Sequence, residues 1–329
     1  MVDQPELIKL QKGDPVNHFL LLKKSELKLT KQNKQYFYLE LGDKSITLSA
    51  NIWDSFSEIY TRLKAGEMVK VTGSIDEFQG TPQIKITSIR QAVLKDNVSP
   101  SDFLARSKRN FEEMKSELFS RISKLKNKYL KMLMEQVFSE NNFTKFSSAP
   151  AGKSWHHSYL SGLLEHTLEL IKICDLMCNI HSEINRDLVI SGALMHDYGK
   201  TEELSFETSF EYTNRGKLIG HIVISAMIIN EECKKIPGFP DDLRDALLHI
   251  ILSHQGKLEF ASPVIPKTLE AITLYQADEL SAKVNAYKSA LAEVKEDGKW
   301  TRYLPLASTD LFNHGFRNES DKADKSLFD

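Results

Sequence analysis

Along the first third of the chain, apolar and polar residues alternate with a period of two. YFYLEL (36–41) places Phe37, Leu39 and Leu41 on one face and Tyr36, Tyr38 and Glu40 on the other, as a strand buried on one side requires. SITLSANIW (45–53) repeats the pattern, with Ile46, Leu48 and Ala50 opposite Thr47, Ser49 and Asn51. A short helical stretch around 54–64 follows, then EMVKVTGSI and TPQIKITSIR, joined through the turn-prone pair Gln79-Gly80. Strand, hairpin, helix and hairpin within about 80 residues predict a small closed β-barrel. Trp53, at a strand end, is expected in its core.

The period changes after LKDNVSPSDF (94–103), a polar stretch with a proline and helix-capping residues that reads as a linker. From Phe103 to Phe143 the apolar residues Phe111, Met114, Leu118, Ile122, Leu125, Tyr129, Met132 and Leu133 recur at three- and four-residue steps. They predict one or two amphipathic helices. Residues 155–295 read as helix after helix, interrupted only by SFETSFEYTNRGK (205–217), a candidate ribbon. The expected organisation is a barrel over 1–95, a linker and helical connector over 96–145, an all-α domain over 146–310 and a polar tail over 311–329.

The β-rich segment resembles the OB-fold family of nucleic-acid binders. It is also locally basic: residues 16–95 hold 12 Lys and Arg against 8 Asp and Glu, in a chain whose formal net charge is -2. Tyr36 and Tyr38 lie on its polar face, where rings stack bases, while Lys28 and Lys34 lie among the lysines placed to meet phosphates. For the whole chain, 329 residues exceed what one core usually serves. No apolar run approaches the roughly 20 residues that cross a bilayer, and the N-terminus has no basic segment leading into an apolar one. Cys174, Cys178 and Cys233 form no metal motif, and Cys174 and Cys178, four apart on one expected helix, read as core residues, which fits a reducing, cytoplasmic setting.

The chemistry lies in the helical half. Tyr159, Leu163, His166, Leu170, Ile173 and Met177 alternate four and three apart, so His166 points into a core. SGALMHDYGK (191–200) runs an apolar helix into His196 and Asp197, with Gly199 in the position of a left-handed helix terminator. A carboxylate in apolar company is costly unless paired or metal-bound. Asp278, in ITLYQADELSAKV, has Leu274, Tyr275 and Ala282 at helical steps and also points inward. Three inward-facing helices thereby supply two imidazoles and two carboxylates, a set suited to Mn, Fe, Co, Ni or Zn.

GLLEHT, MHDYGK and YQADELSAK, in the order H…HD…D, resemble the HD-domain superfamily of metal-dependent phosphohydrolases. Its four defining ligands match His166, His196, Asp197 and Asp278. A barrel, a helical connector and an HD domain in that order, together with KSWHHSYLSGLLEHT, GKLIGH and LSHQGKLEFASPVIPKTLEA, resemble the YhaM family of bacterial 3′→5′ exoribonucleases. The resemblance implies an RNA strand, removal of nucleotides from the 3′ end, and Mn²⁺. It also implies a second metal on His221 and His254 with Asp197 bridging. His221 is expected in line with Leu218, Ser225 and Ile228 on one helix. The superfamily's usual SHHG reads Ser253-His254-Gln255-Gly256, which leaves one or two ions open.

The reading is therefore a metal-dependent phosphodiesterase hydrolysing single-stranded RNA through metal-activated water, with single-stranded DNA as a further candidate substrate. Lys200 would neutralise charge on the phosphoryl oxygens, and His157 and Arg215 would contact phosphate. A capping or packing role stays equally open for His157, His249 falls off the His254 face and is expected to be structural, and His156 is given no role. The alternatives are a small-nucleotide or cyclic-nucleotide phosphohydrolase and a non-catalytic single-strand binding protein.

Overall fold

The computed structural model describes residues 4–153, 157–206, 210–292, 294, 298–305 and 307–316. His156 and most of the expected tail, from residue 317 on, lie outside the described residues. Five strands close a barrel in the order β1-β2-β3-β5-β4: β1 (Pro15–Leu29), β2 (Gln35–Gly42), β3 (Thr47–Ile52), β4 (Met68–Phe78) and β5 (Thr81–Gln91), with α1 (Ser57–Arg62) between β3 and β4. Strand β1 is long enough to serve two neighbours. Its first half pairs with β4 and its second with β2, and the register shifts between Leu22 and Lys24, where the chain bends from one partner to the other. The sheet closes where β3 meets β5 in parallel, at Ser49 and Gln83. Phe37, Leu39 and Leu41 fill the interior with Leu48, Ala50, Val69 and Val71, following the alternation of the sequence.

Gln79 and Gly80 connect β4 to β5 with φ of 51° and 75°. Two consecutive left-handed residues are what a two-residue hairpin between right-twisted strands requires. The N-terminal Leu7 and Leu10 are buried in the barrel's apolar core. The Asp43 carboxylate anchors them by accepting the Leu7 N–H at 2.7 Å as well as the N–H groups of Ser45 and Ile46. Trp53 departs from expectation: it is 47% exposed. It shares the parity of Ser49 and Asn51 on the outward face, and its period-two position outweighs its apolar character.

The helical half begins with α2 (Phe111–Ser123), α3 (Lys128–Val137) and α4 (Glu140–Ser148). The connector is therefore three helices and starts later than Phe103. Asn110 and Asn127 begin α2 and α3 by accepting backbone N–H groups with their side-chain oxygens. Then come α5 (Gly162–Ile180), α6 (Arg186–Met195), α7 (Lys200–Glu203), a ribbon of β6 (Leu204–Ser205) and β7 (Glu211–Tyr212), α8 (Asn214–Ile219), α9 (His221–Lys234), α10 (Asp241–Ser253) and α11 (Leu269–Ala292). Helices α5 and α6 pack together and against α11, and α10 packs on both α6 and α9. One continuous apolar core runs through them. No helix among the described residues is long and apolar enough to cross a membrane.

The expected linker is not a free tether. Phe103 and Leu104 are buried with Leu21 and Met68 of the barrel and with Leu160, two residues before α5. The backbone joins the same place, where Leu160 N–H donates to Ala105 carbonyl at 2.8 Å and Ser107 N–H to Leu160 carbonyl at 3.0 Å.

Candidate metal centre

Helix α5 carries His166, α6 delivers His196 and Asp197 from its C-terminal end, and α11 carries Asp278; all four side chains are buried. His166 Nε2 lies 3.3 Å from His196 Nε2, 3.1 Å from Asp278 Oδ1 and 3.9 Å from Asp197 Oδ2. His196 Nε2 is 3.3 Å from the same Asp197 oxygen. The structure brings these four groups together. Gly199 shapes the turn that presents them, but not as a left-handed terminator: its φ is -60°. A Cβ there would sit 2.2 Å from the His221 carbonyl oxygen and 2.8 Å from Ser225 N, so the close approach of α9 requires glycine. The Ser225 hydroxyl accepts Gly199 N–H at 2.7 Å and donates to the His196 carbonyl at 3.1 Å, tying that turn to α9.

The other carboxylate oxygen of Asp197 faces a second group of donors. Asp197 Oδ1 lies 3.3 Å from His221 Nε2 and 3.7 Å from His254 Nε2. These three buried atoms have no hydrogen-bond partner among the described residues. His221 does not continue the helix of Leu218: Gly220, at φ 77°, separates α8 from α9, and Leu218 is exposed. Gln255 follows His254 and is partly exposed, whereas His254 is the buried residue that reaches Asp197.

The four imidazoles share one arrangement. Each Nδ1 is turned outward to a partner: His196 to the Ala193 carbonyl at 2.8 Å, His254 to the Ile251 carbonyl at 2.7 Å, His221 to Glu203 Oε1 at 3.0 Å, and His166 to Ser281 Oγ at 3.4 Å. A carbonyl or carboxylate acceptor fixes the proton on Nδ1 and leaves Nε2 as a lone pair. Lone pairs and carboxylate oxygens that converge in a buried space repel one another unless a cation lies among them. The donor set fits divalent transition metals, with Asp197 offering one oxygen to each of two groups of donors that could hold an ion.

The electrostatics favour neutral rings at His166 and His254 but the charged form at His196, beside Asp197. Burial alone would raise Asp197, but the Lys200 ammonium and His196 hold it well below the usual carboxylate range. Asp278 is likewise held low against burial by His166. Burial pushes His254 down to about 4, keeping it neutral, and also lowers His166. His196, despite burial, is raised by Asp197. Lys200 Nζ sits 2.6 Å from Asp197 Oδ2 and donates to the Ala151 carbonyl at 2.5 Å, and Asp197 keeps it charged against the cost of burial.

Around this centre lie residues that the sequence reading passed over. The Ser281 hydroxyl, which receives His166 Nδ1–H, donates to Glu169 Oε2 at 3.3 Å, and His157 Nε2 lies 3.2 Å from the same oxygen. Asn285 accepts the His157 backbone N–H at 3.1 Å. Asp278, Ser281 and Asn285 stand three and four apart on α11, a spacing that could have revealed them. His157 is buried with φ 44°, and a Cβ on Gly162 would lie 2.0 Å from its carbonyl oxygen. Arg215 pairs with Glu202 at 2.9 Å, outside the buried cluster. His249 accepts the Lys267 N–H at 2.9 Å, a packing role.

On the barrel, Tyr36 stacks on the exposed Trp53 with ring centroids 4.8 Å apart. Tyr38 is engaged otherwise. Lys28 Nζ covers its ring at 3.3 Å, and its hydroxyl donates to Glu40 at 2.9 Å. Lys34 pairs with Asp54 at 3.3 Å. A groove of about 560 Å³, lined by Tyr38, Glu40, Thr47, Ser49, Thr81 and Pro82, runs along this face.

Comparison with known proteins places both halves. Residues 22–92 match the family model of an OB-fold nucleic acid binding domain, and residues 163–283 match that of the HD domain. Over 316 residues the chain is 32% identical to the 3'-5' exoribonuclease YhaM of Listeria welshimeri, covering 95% of this chain and 99% of that protein. The 3'-5' exoribonuclease YhaM of Oceanobacillus iheyensis is 33% identical over 292 residues, 89% of this chain and 91% of that one. For the protein of the same description from Bacillus subtilis, identity is 30% over 306 residues, 92% of this chain and 96% of its own length. An OB barrel joined to an HD-domain centre, matched along almost the whole chain, makes this protein a member of the YhaM family.

Proposed function

We propose that this chain is a metal-dependent 3′→5′ exoribonuclease of the cytoplasm, gripping single-stranded RNA on its barrel and hydrolysing the terminal phosphodiester in its helical half. The observation that carries this reading is the convergence of four histidine Nε2 atoms with the Asp197 and Asp278 carboxylates, beside a fused OB barrel. His166, His196, Asp197 Oδ2 and Asp278 would hold one divalent ion, and Asp197 Oδ1, His221 and His254 a second, with Mn²⁺ the preferred metal. Divalent ions in such a site polarise phosphoryl oxygens and bring the pKa of water towards neutrality.

The chain's own residues do the remainder. Asp197, held ionised by Lys200 and His196, would offer an oxygen to each subsite. Lys200, charged and buried against Asp197 Oδ2 at 2.6 Å, offsets negative charge that develops on phosphorus. Arg215, exposed and paired with Glu202, would take phosphate contacts at the edge of the centre, whereas the buried His157 ring is held on Glu169 and does not reach a substrate phosphate. On the barrel, Tyr36 with Trp53 gives bases a stacking surface, and Lys28 and Lys34 supply positive charge along the strand. Stacking and phosphate contacts discriminate weakly between sugars, so single-stranded DNA would also be held. The Tyr36–Trp53 stack supports a polymer substrate over a small nucleotide.

The test is degradation of RNA and DNA strands labelled at either end, with Mn²⁺, Mg²⁺, Zn²⁺ or no metal. Stepwise shortening of 5′-labelled RNA with Mn²⁺ supports the proposal. Cleavage from the 5′ end, or turnover of mononucleotide esters alone, would overturn it.

A further inference from the structure

Among the four imidazoles in the centre, His221 is the one whose Nδ1 is held by a carboxylate. His196 and His254 each turn Nδ1 onto a carbonyl three residues earlier in the chain, at Ala193 and Ile251. His221 has no such carbonyl, because it is the first residue of α9 and follows Gly220. Its side chain is also the least enclosed, 18% exposed against 0% for His166, His196 and His254. A ring at that position swings freely unless something outside α9 fixes it.

Glu203 occupies that place. It is buried at the end of α7, and its Oε1 accepts both the His221 backbone N–H at 2.9 Å and the His221 Nδ1–H at 3.0 Å. Its own backbone is fixed from two sides. Thr213 N–H donates to its carbonyl at 2.9 Å. Gly216 packs so tightly that a Cβ there would lie 2.3 Å from the Glu203 carbonyl oxygen and 2.8 Å from its Cγ. Glutamate at this position is therefore built in, while the neighbouring Glu202 turns outward to Arg215.

We infer that Glu203 is the positioning residue of the second metal subsite: it fixes the His221 tautomer, aims Nε2 at Asp197 Oδ1, and raises the ligand's basicity through its charge. The inference rests on the two-ion reading proposed above. Glu203 touches neither substrate nor metal and acts through His221.

Mn²⁺ titration of the chelated full-length chain tests it, with metal per chain measured directly and spin coupling between the ions followed by electron paramagnetic resonance. Wild type, Glu203→Gln and Glu203→Ala are compared, with folding checked by circular dichroism. The wild type is expected to bind two coupled Mn²⁺ ions. Glu203→Ala should bind the first ion unchanged and the second about 10–100-fold more weakly, with the coupled signal lost at matched metal. Glu203→Gln keeps an acceptor but not the charge and should fall between them; it carries the test if the alanine variant does not fold. Two coupled ions of wild-type affinity in a folded variant would overturn the role of Glu203. A wild type that binds a single ion would instead bring down the two-ion reading, and this inference with it.

Discussion

Asp197 is the residue on which the centre turns, and its surroundings decide how it should be tested. Truncation to alanine would strip Lys200 of its paired carboxylate and leave a buried ammonium whose remaining hydrogen-bond partner among the described residues is the Ala151 carbonyl, a loss of about 3–5 kcal/mol. Asp197→Asn keeps the shape and is the cleaner variant: hydrolysis should vanish and strand binding by the barrel should persist. Residual turnover above about 1% of wild type would contradict the role given to this carboxylate. Gly199→Ala places a methyl against the His221 carbonyl and should cost about 1–3 kcal/mol of stability, read by urea unfolding. The barrel has its own titrating residue. His18 is buried, donates Nε2–H to the Pro5 carbonyl at 3.0 Å and accepts the Asn17 N–H on Nδ1 at 3.0 Å, so a second proton would face that N–H. Burial lowers its pKa in the folded chain. Below the ordinary histidine pKa the unfolded chain therefore binds the proton first, and stability should fall as pH drops from 6.5. His18→Gln should flatten that part of the unfolding profile.

At the level of elements, the strands were legible because one face of each is buried and the other is not. The same period of two also gave the exposure of Trp53, which its indole obscured: positions 47, 49, 51 and 53 all face outward. Its place beside Tyr36 follows from the pairing of Phe37 with Ile52. Trp53→Ala should weaken binding of single strands by about 1–3 kcal/mol for the base it stacks, without changing metal content. His166, His196, Asp197 and Asp278 were readable because each breaks an apolar face at helical spacing. The grouping of His221 and His254 with Asp197 was harder to read. LIGHIVIS looks like one continuous helix, yet Gly220 divides it and puts His221 at a helix start, a feature of backbone conformation that apolar spacing does not register. Glu203 gave no signal at all, since adjacent glutamates in a four-residue helix look alike until tertiary packing separates them.

For the whole molecule, the junction between barrel and helices matters as much as either half. Phe103 and Leu104 join Leu21 and Met68 of the barrel to Leu160, which lies just before α5, the helix that carries His166. A chain lacking the barrel should therefore lose thermal stability as well as affinity for long strands, because Phe103, Leu104 and Leu160 would face water. Equal melting temperatures for the helical half alone and within the full chain would contradict this. Metal should act on the molecule as a ligand of the folded state: Mn²⁺ at about 100 times its dissociation constant adds about 2.7 kcal/mol per site, and chelation removes it. Differential scanning calorimetry with and without chelator reads that shift. Crystals grown with Mn²⁺ and measured on either side of its absorption edge would locate the ions themselves. Anomalous density is expected on both sides of the Asp197 carboxylate, one peak among His166, His196 and Asp278 and the other between His221 and His254. Density elsewhere, or none at Asp197, would contradict the assignment of this centre.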